Sequence, residues 1–159
     1  MKKFVYLISP NSINKKFYQS LDKVLSAKSV KFFQLRLKNI KNREFLSIAA
    51  KIKKITTKHK VKLIINDYVN LSCKIKADGC HVGQLDGSFR VARKKLGSKI
   101  FGITCHNSKF FARKAINEGA DYIAFGSFFN SKLKPNAKKA NINILKWAKT
   151  EIRKPIVVI

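Results

Sequence analysis

Hydrophobic positions along this chain follow two alternating rhythms. Short, β-rich apolar runs at Phe4–Ser9, Lys31–Leu37, Lys62–Asn66, Gly79–Gly83, Lys99–Thr104, Tyr122–Phe128 and Pro155–Ile159 read as strands. Between several of them lie stretches with helical spacing. Arg43–Thr57 carries Phe45, Ile48, Ala49, Ile52 and Ile55 on one face. Ser108–Glu118 carries Phe111, Ala112, Ala115 and Ile116, and Gly119 follows where a helix C-terminus favours glycine. Ser88–Leu96 reads as a short helix closed by Gly97, and Asn141–Glu151 as another, after which Pro155 opens the last strand. Strands separated by helices are βαβ units, so the pattern predicts an α/β fold with a parallel sheet. A faint internal repeat supports this. Ala77-Asp78 leads into a strand ending at Gly83, and Ala120-Asp121 leads into one ending at Gly126. No linker or low-complexity segment interrupts the pattern, which predicts one domain over residues 1–159.

Two architectures fit such a pattern, an open doubly wound sheet and a (β/α) barrel. A doubly wound nucleotide binder usually carries a glycine-rich loop after its first strand. Here that strand runs into Ser9-Pro10-Asn11-Ser12. The expectation is therefore a TIM-type barrel, in which functional groups are spread over several strand ends.

Composition changes the picture in one respect. The chain has 35 Lys+Arg against 8 Asp+Glu, a formal net charge of +27. The basic residues are scattered, as at Lys15-Lys16, Lys53-Lys54, Lys94-Lys95 and Lys138-Lys139, with no basic arm and no finger or RNA-binding signature. This reads as a compositional bias and argues against a nucleic-acid partner. The positive field favours small anionic substrates. No apolar run reaches the ~18 residues of a membrane span. The apolar run Phe4–Ile8 is too short for the core of a signal peptide, so a cytoplasmic protein is expected. Cys73, Cys80 and Cys105 form no C-x-x-C pair and read as reduced, buried thiols.

Candidate chemistry lies at the strand ends. In a parallel sheet covered by helices, both strand faces are apolar. Lys31–Lys38 departs from that rule, with Phe33, Leu35 and Leu37 on one face and Gln34, Arg36 and Lys38 on the other. The polar set is either the inner face of a barrel strand meeting an anion or the solvated face of an edge strand. Asp67 and Asp86 each follow a strand C-terminus. They could join phosphate oxygens in a hard-oxygen Mg²⁺ shell, or Asp67 could cap a helix and Asp86 close a turn or cap the helix after it. Thr104 offers a hydroxyl to a phosphate or ring nitrogen. His106 reads as an acid/base or a helix cap, His81 as a packing histidine and His59 as a surface residue. A Cys105–His106 dyad is disfavoured, since neighbours on a strand face opposite ways. Ser131, Lys132 and Lys134 could grip a phosphate.

Taken together, these segments resemble the thiamine phosphate synthase family, which includes the related thiazole tautomerases. Gln34-Leu35-Arg36-Leu37-Lys38 matches Q-[LF]-R-x-K, and Asn66-Asp67 matches N-D. Residues Ala77 to Asp86 match A-D-G-x-H-x-G-Q-x-D, and Gly102 to His106 resemble G-x-S-x-H with Thr104 for serine. The resemblance implies a pyrophosphate site at Gln34, Leu35, Arg36, Leu37 and Lys38, and substrate contacts at Asn66 and Thr104. It implies Mg²⁺ on Asp67 and Asp86, and a thiazole phosphate loop at Ser131, Lys132, Leu133 and Lys134. The implied reaction condenses hydroxymethylpyrimidine pyrophosphate with thiazole phosphate, giving thiamine phosphate and pyrophosphate. The implied partners are thus two small molecules. Two departures stand out. Leu133 occupies a position where the family has a hydroxyl, and Asn130 one where it has proline. The family pattern also continues past the strand at Pro155–Ile159. This implies a barrel of about seven strands, shortened at its C-terminus, whose unpaired strand edges invite self-association. The alternatives are a tautomerase-like isomerase using His106, opposed by the retained Asp67 and Asp86, and a non-catalytic basic remnant that binds anions or nucleic acid.

Overall fold

In the computed structural model, which describes residues 4–129 and 139–159, the alternation resolves into seven strands and six helices among the described residues. They run β1 (Val5–Ile8), α1 (Lys15–Ser26), β2 (Val30–Leu35), α2 (Asn42–Lys58), β3 (Lys62–Asn66), α3 (Val69–Lys74), β4 (Gly79–Val82), α4 (Phe89–Leu96), β5 (Ile100–His106), α5 (Lys109–Asn117), β6 (Tyr122–Phe125), α6 (Ile142–Glu151) and β7 (Ile156–Val158). The strands follow one another in chain order, β1 to β7. The described pairings, β1 with β2, β2 with β3, β5 with β6 and β6 with β7, are all parallel. A doubly wound sheet reverses its strand order at a switch point; sequential order without reversal is the connectivity of the (β/α) barrel. No helix among the described residues is long and apolar enough to cross a membrane.

The chain divides into two compact units, Met1–Cys80 and His81–Ile159. In the first, the alternation read from β2 has a direct physical outcome. Phe33, Leu35 and Leu37 are buried in a cluster with Leu21 and Leu25 of α1 and Phe45, Ala49 and Ile52 of α2. Gln34 falls on the opposite face, also buried, and its amide donates to the Tyr6 hydroxyl on β1 at 3.1 Å. The apolar set therefore meets the helices, and the edge-strand alternative for this segment fails. Helix α1 was not among the expected elements. Its signal is present in Phe17, Leu21 and Leu25, and in Asn14, whose side chain accepts from the Phe17 N–H at 2.9 Å. Helix α3, six residues long, is too short to show a helical period.

The Ala-Asp repeat marks one structural device used twice. In the first unit, Asp78 donates its N–H to the Leu63 carbonyl, and its carboxylate accepts the Leu63 N–H at 2.9 Å. In the second, Asp121 donates its N–H to the Phe101 carbonyl, and its carboxylate accepts the Phe101 N–H at 2.8 Å. Each aspartate ties the start of its own strand segment to the start of the preceding one. Lys62 pairs with Asp78, and Arg93 with Asp121. Arg93 also donates to the carbonyls of Gly97, Lys99 and Gly119 and lies over the Phe101 ring. In each unit, the side chains that could do chemistry stand at the opposite, C-terminal ends of the strands.

Candidate active site

In the first unit, strand β2 ends at Leu35, two residues earlier than its pattern predicts. Arg36 and Lys38 therefore stand just past the strand end. Ser9, past the end of β1, holds this turn: its hydroxyl accepts the Arg36 N–H at 2.9 Å. The Arg36 guanidinium donates to Asn11 Oδ1 at 2.7 Å. Across the neighbouring strand end, Lys38 Nζ donates to the carboxylate of Asp67, an ion pair joining the ends of β2 and β3. Asp67 adopts a left-handed backbone, φ 64°, and follows the buried Asn66. Asp67 does not cap α3, whose N-cap is Tyr68 without a side-chain hydrogen bond. Leu35 and Leu37, both within the matching string, are core residues packed towards α1 and α2. Their side chains pack in the core, whereas Arg36 and Lys38 reach Asn11 and Asp67 at the strand ends.

The second unit holds its own set. Asp86 Oδ2 accepts the Gly83 N–H at 2.6 Å, closing the turn after β4, while Ser88 caps α4. The Gln84 amide donates to the Thr104 carbonyl at 2.6 Å. Thr104 Oγ1 lies 2.7 Å from His81 Nε2, and His81 Nδ1 lies 2.9 Å from the Tyr122 hydroxyl. His81 is thus the satisfied, buried histidine expected of it. Strand β5 runs on to His106, two residues past its expected end. His106 is not the cap of α5, a role Ser108 fills by accepting the Phe111 N–H at 3.2 Å.

Cys105 is fully buried, and its thiol donates to the Ile103 carbonyl at 3.6 Å. Burial pushes it up to about 12, so it is protonated and inert at neutral pH. A buried, protonated Cys105 cannot act as the nucleophile of a dyad with His106. His59 is not a free surface residue: its Nε2 lies 2.8 Å from Asp22 Oδ1. Hydrogen bonds from Lys58 and then His59 hold the Asp22 carboxyl below its usual range. Ser131, Lys132, Leu133 and Lys134, together with Asn130, lie outside the described residues.

Each unit, then, keeps its apolar residues towards the helices and presents cations, carboxylates, amides and hydroxyls at the C-terminal ends of parallel strands. That placement defines a (β/α)-barrel enzyme acting on anionic substrates. Comparison with known proteins narrows the class. The family described as thiamine monophosphate synthase matches residues 5–159. A thiamine-phosphate synthase of Pelagibacter ubique is 54% identical over 159 residues, covering 99% of this chain and 77% of that protein. One from Erythrobacter litoralis is 39% identical over 160 residues, covering 98% of this chain and 75% of that protein. A solved thiamine phosphate pyrophosphorylase from Pyrococcus furiosus shares the fold, with a TM-score of 0.86 at 24% identity over 99% of this chain and 74% of that one. The chain belongs to the thiamine monophosphate synthase family.

Proposed function

We infer that this chain condenses hydroxymethylpyrimidine pyrophosphate with thiazole phosphate, releasing pyrophosphate and forming thiamine phosphate. The observation that carries the reading is the Arg36, Lys38, Asn66 and Asp67 group at the ends of β2 and β3, in a chain of this family. In the reaction, the bond from the pyrimidinylmethyl carbon to the pyrophosphate oxygen breaks, and the pyrophosphate leaves with the electron pair. The thiazole nitrogen then bonds to that carbon. No protein nucleophile is needed, in keeping with the buried Cys105 thiol. Arg36 and Lys38 stabilise the charge gathering on the leaving group, and the strand ends orient the two heterocycles.

The donor set suits a hard divalent cation. Asp67 already receives a cationic ammonium from Lys38, and carboxylate oxygens are the ligands Mg²⁺ prefers. Among the described residues, no three His, Cys, Asp or Glu side chains gather into a ligand group. Asp67 in the first unit and Asp86 in the second are the carboxylates proposed as ligands of the cation. When bound, Mg²⁺ adds Lewis-acid stabilisation of the departing pyrophosphate. Lys38, which pairs with Asp67 here, would then be available to a phosphate oxygen. Thr104 holds a substrate acceptor, and the Ser131–Lys134 segment is the proposed thiazole phosphate grip. The three free cysteines suit the reducing cytoplasm.

The test mixes the purified chain with both substrates and Mg²⁺ and follows thiamine phosphate and pyrophosphate together. Equimolar appearance of the two products, abolished by a chelator and restored by Mg²⁺, is expected. Turnover unaffected by chelation would remove the metal from the proposal, and no product at all would remove the activity.

A further inference from the structure

Behind Thr104 in the second unit lies a buried pair, His81 and Tyr122, with no role in the reaction as described above. His81 on β4, 4% exposed, joins Thr104 on β5 to Tyr122 on β6 through its two ring nitrogens. The His81 and Tyr122 rings stack with centroids 5.5 Å apart. The place for the phenol is built into β5: a Cβ at Gly102 would lie 2.0 Å from Tyr122 Cζ. Only glycine at 102 lets the Tyr122 ring lie where it reaches the imidazole. From the other side, the Gln84 amide fixes the Thr104 carbonyl. Two side chains, His81 and Gln84, therefore meet Thr104 directly, with Tyr122 behind His81; Thr104 is itself only partly buried.

The proton count of this chain has a functional consequence. A neutral imidazole has one N–H and one lone pair. The phenol, with an ordinary pKa of about 10, is far more acidic than an aliphatic alcohol and is the better donor to that lone pair. We propose that Tyr122 donates to His81 Nδ1, that His81 carries its proton on Nε2 and donates to Thr104 Oγ1, and that Thr104 thereby directs its own proton to a hydrogen-bond acceptor on the substrate. In the opposite tautomer Thr104 donates to His81, and its hydroxyl can only accept from the substrate. Pyrophosphate oxygens and ring nitrogens are acceptors, so the first arrangement matches the substrates of the proposed reaction, on which this inference rests. His81 and Tyr122 are positioning residues that act through Thr104.

Two measurements test this. The first needs no activity. Nitrogen-edited NMR of the histidine rings, with His81 assigned from the spectrum of His81→Gln, should show the Nε2-protonated neutral tautomer. An Nδ1-protonated ring overturns the proposal. The second is a double-mutant cycle on kcat/KM for each substrate. Tyr122→Phe keeps the ring and loses the hydroxyl; Thr104→Val keeps the shape and loses the proton. Each single change should lower kcat/KM about fivefold, the effect of one neutral hydrogen bond, and should also lower the thermal midpoint, because a ring nitrogen of the buried His81 loses its partner. The double variant should be no worse than Thr104→Val alone. Losses that multiply, or a Tyr122→Phe enzyme with wild-type kcat/KM, overturn it. The substrate whose KM rises identifies the acceptor. A wild-type chain that makes no thiamine phosphate would defeat the functional reading, while the NMR result would still decide the proton's position.

Discussion

Asp67 sits at a backbone position that few residues tolerate. Its φ of 64° is in the left-handed region, where Asp and Asn are accommodated more readily than other residues bearing a Cβ. Two substitutions separate its chemistry from its backbone. Asp67→Asn keeps the conformation and removes the charge, so kcat/KM should fall about 100-fold or more, as for loss of a group that stabilises charge in the transition state, with little change in thermal midpoint. Asp67→Ala should lose the same activity and about 1 kcal/mol of stability besides, from left-handed strain. Lys38 adds little to that cost, because its side chain is 43% exposed and water can receive it. Equal stabilities for the two variants by urea denaturation would contradict the backbone argument. The candidate role of Asp67 was legible in the sequence from its place after Leu63-Ile64-Ile65-Asn66. Its left-handed backbone and its pairing with Lys38 were not, because both depend on where β2 ends.

Cys105 offers a pH test at the same scale. Its thiol is raised from 9.0 to about 12 by burial, so the folded state holds a proton that the unfolded state releases above pH 9. The stability from this group is fully present below about pH 9 and is lost as pH rises towards 12, at roughly 1.4 kcal/mol per pH unit. The measurement is the difference between wild type and Cys105→Ala, which isolates this group. The variant should be less stable at neutral pH, because of its cavity, yet lose less on going to pH 11. Parallel stability curves would contradict the assignment.

Among the elements, the repeated aspartates make a paired comparison. Both accept a buried backbone N–H, from Leu63 and from Phe101, but their cationic partners differ. The Lys62 side chain is 55% exposed, whereas that of Arg93 is 22% exposed and is tied to three carbonyls. Truncation leaves a buried N–H unpaired in either case, at a cost of about 1–3 kcal/mol. Asp121→Ala should lie at the upper end, because it also strands Arg93, and Asp78→Ala at the lower end. Urea denaturation of the two variants checks the order, and the reverse order would show that the Arg93 cluster stands without its carboxylate. The Ala-Asp repeat was visible in the sequence as an echo; that it is a clamp between strand starts required the parallel register. Period-2 and period-3.6 patterns located all seven strands and four of the six described helices. Helix α1 carries a weaker sign of the same kind, with Phe17, Leu21 and Leu25 on one face. Helix α3 is too short for periodicity to reveal. Strand ends shifted by up to three residues, as at β6, which stops at Phe125, because apolar runs continue into the turns that follow strands.

For the whole molecule, charge is the dominant unresolved force, and it acts on stability and on catalysis with opposite sign. Of the eight acidic residues, Asp22, Asp67, Asp78, Asp121 and Glu151 already pair with cations. The excess of +27 therefore remains largely as mutual repulsion, which opposes the compact state. Exposed ion pairs contribute about 1 kcal/mol or less each, so salt should relieve more repulsion than it removes attraction. Raising NaCl from about 0.1 to 1 M shortens the screening length from about 10 to 3 Å, and the thermal midpoint should rise. The same screening should weaken the attraction of phosphorylated substrates to the site proposed at Arg36 and Lys38, so kcat/KM should fall over the same range. Chloride is the anion to use, since sulfate or phosphate would compete at the site. A midpoint that falls with salt would mean the ion pairs outweigh the repulsion. A salt-independent kcat/KM would mean that the lysines outside the strand ends do nothing for catalysis, and that the charge is a property of composition alone.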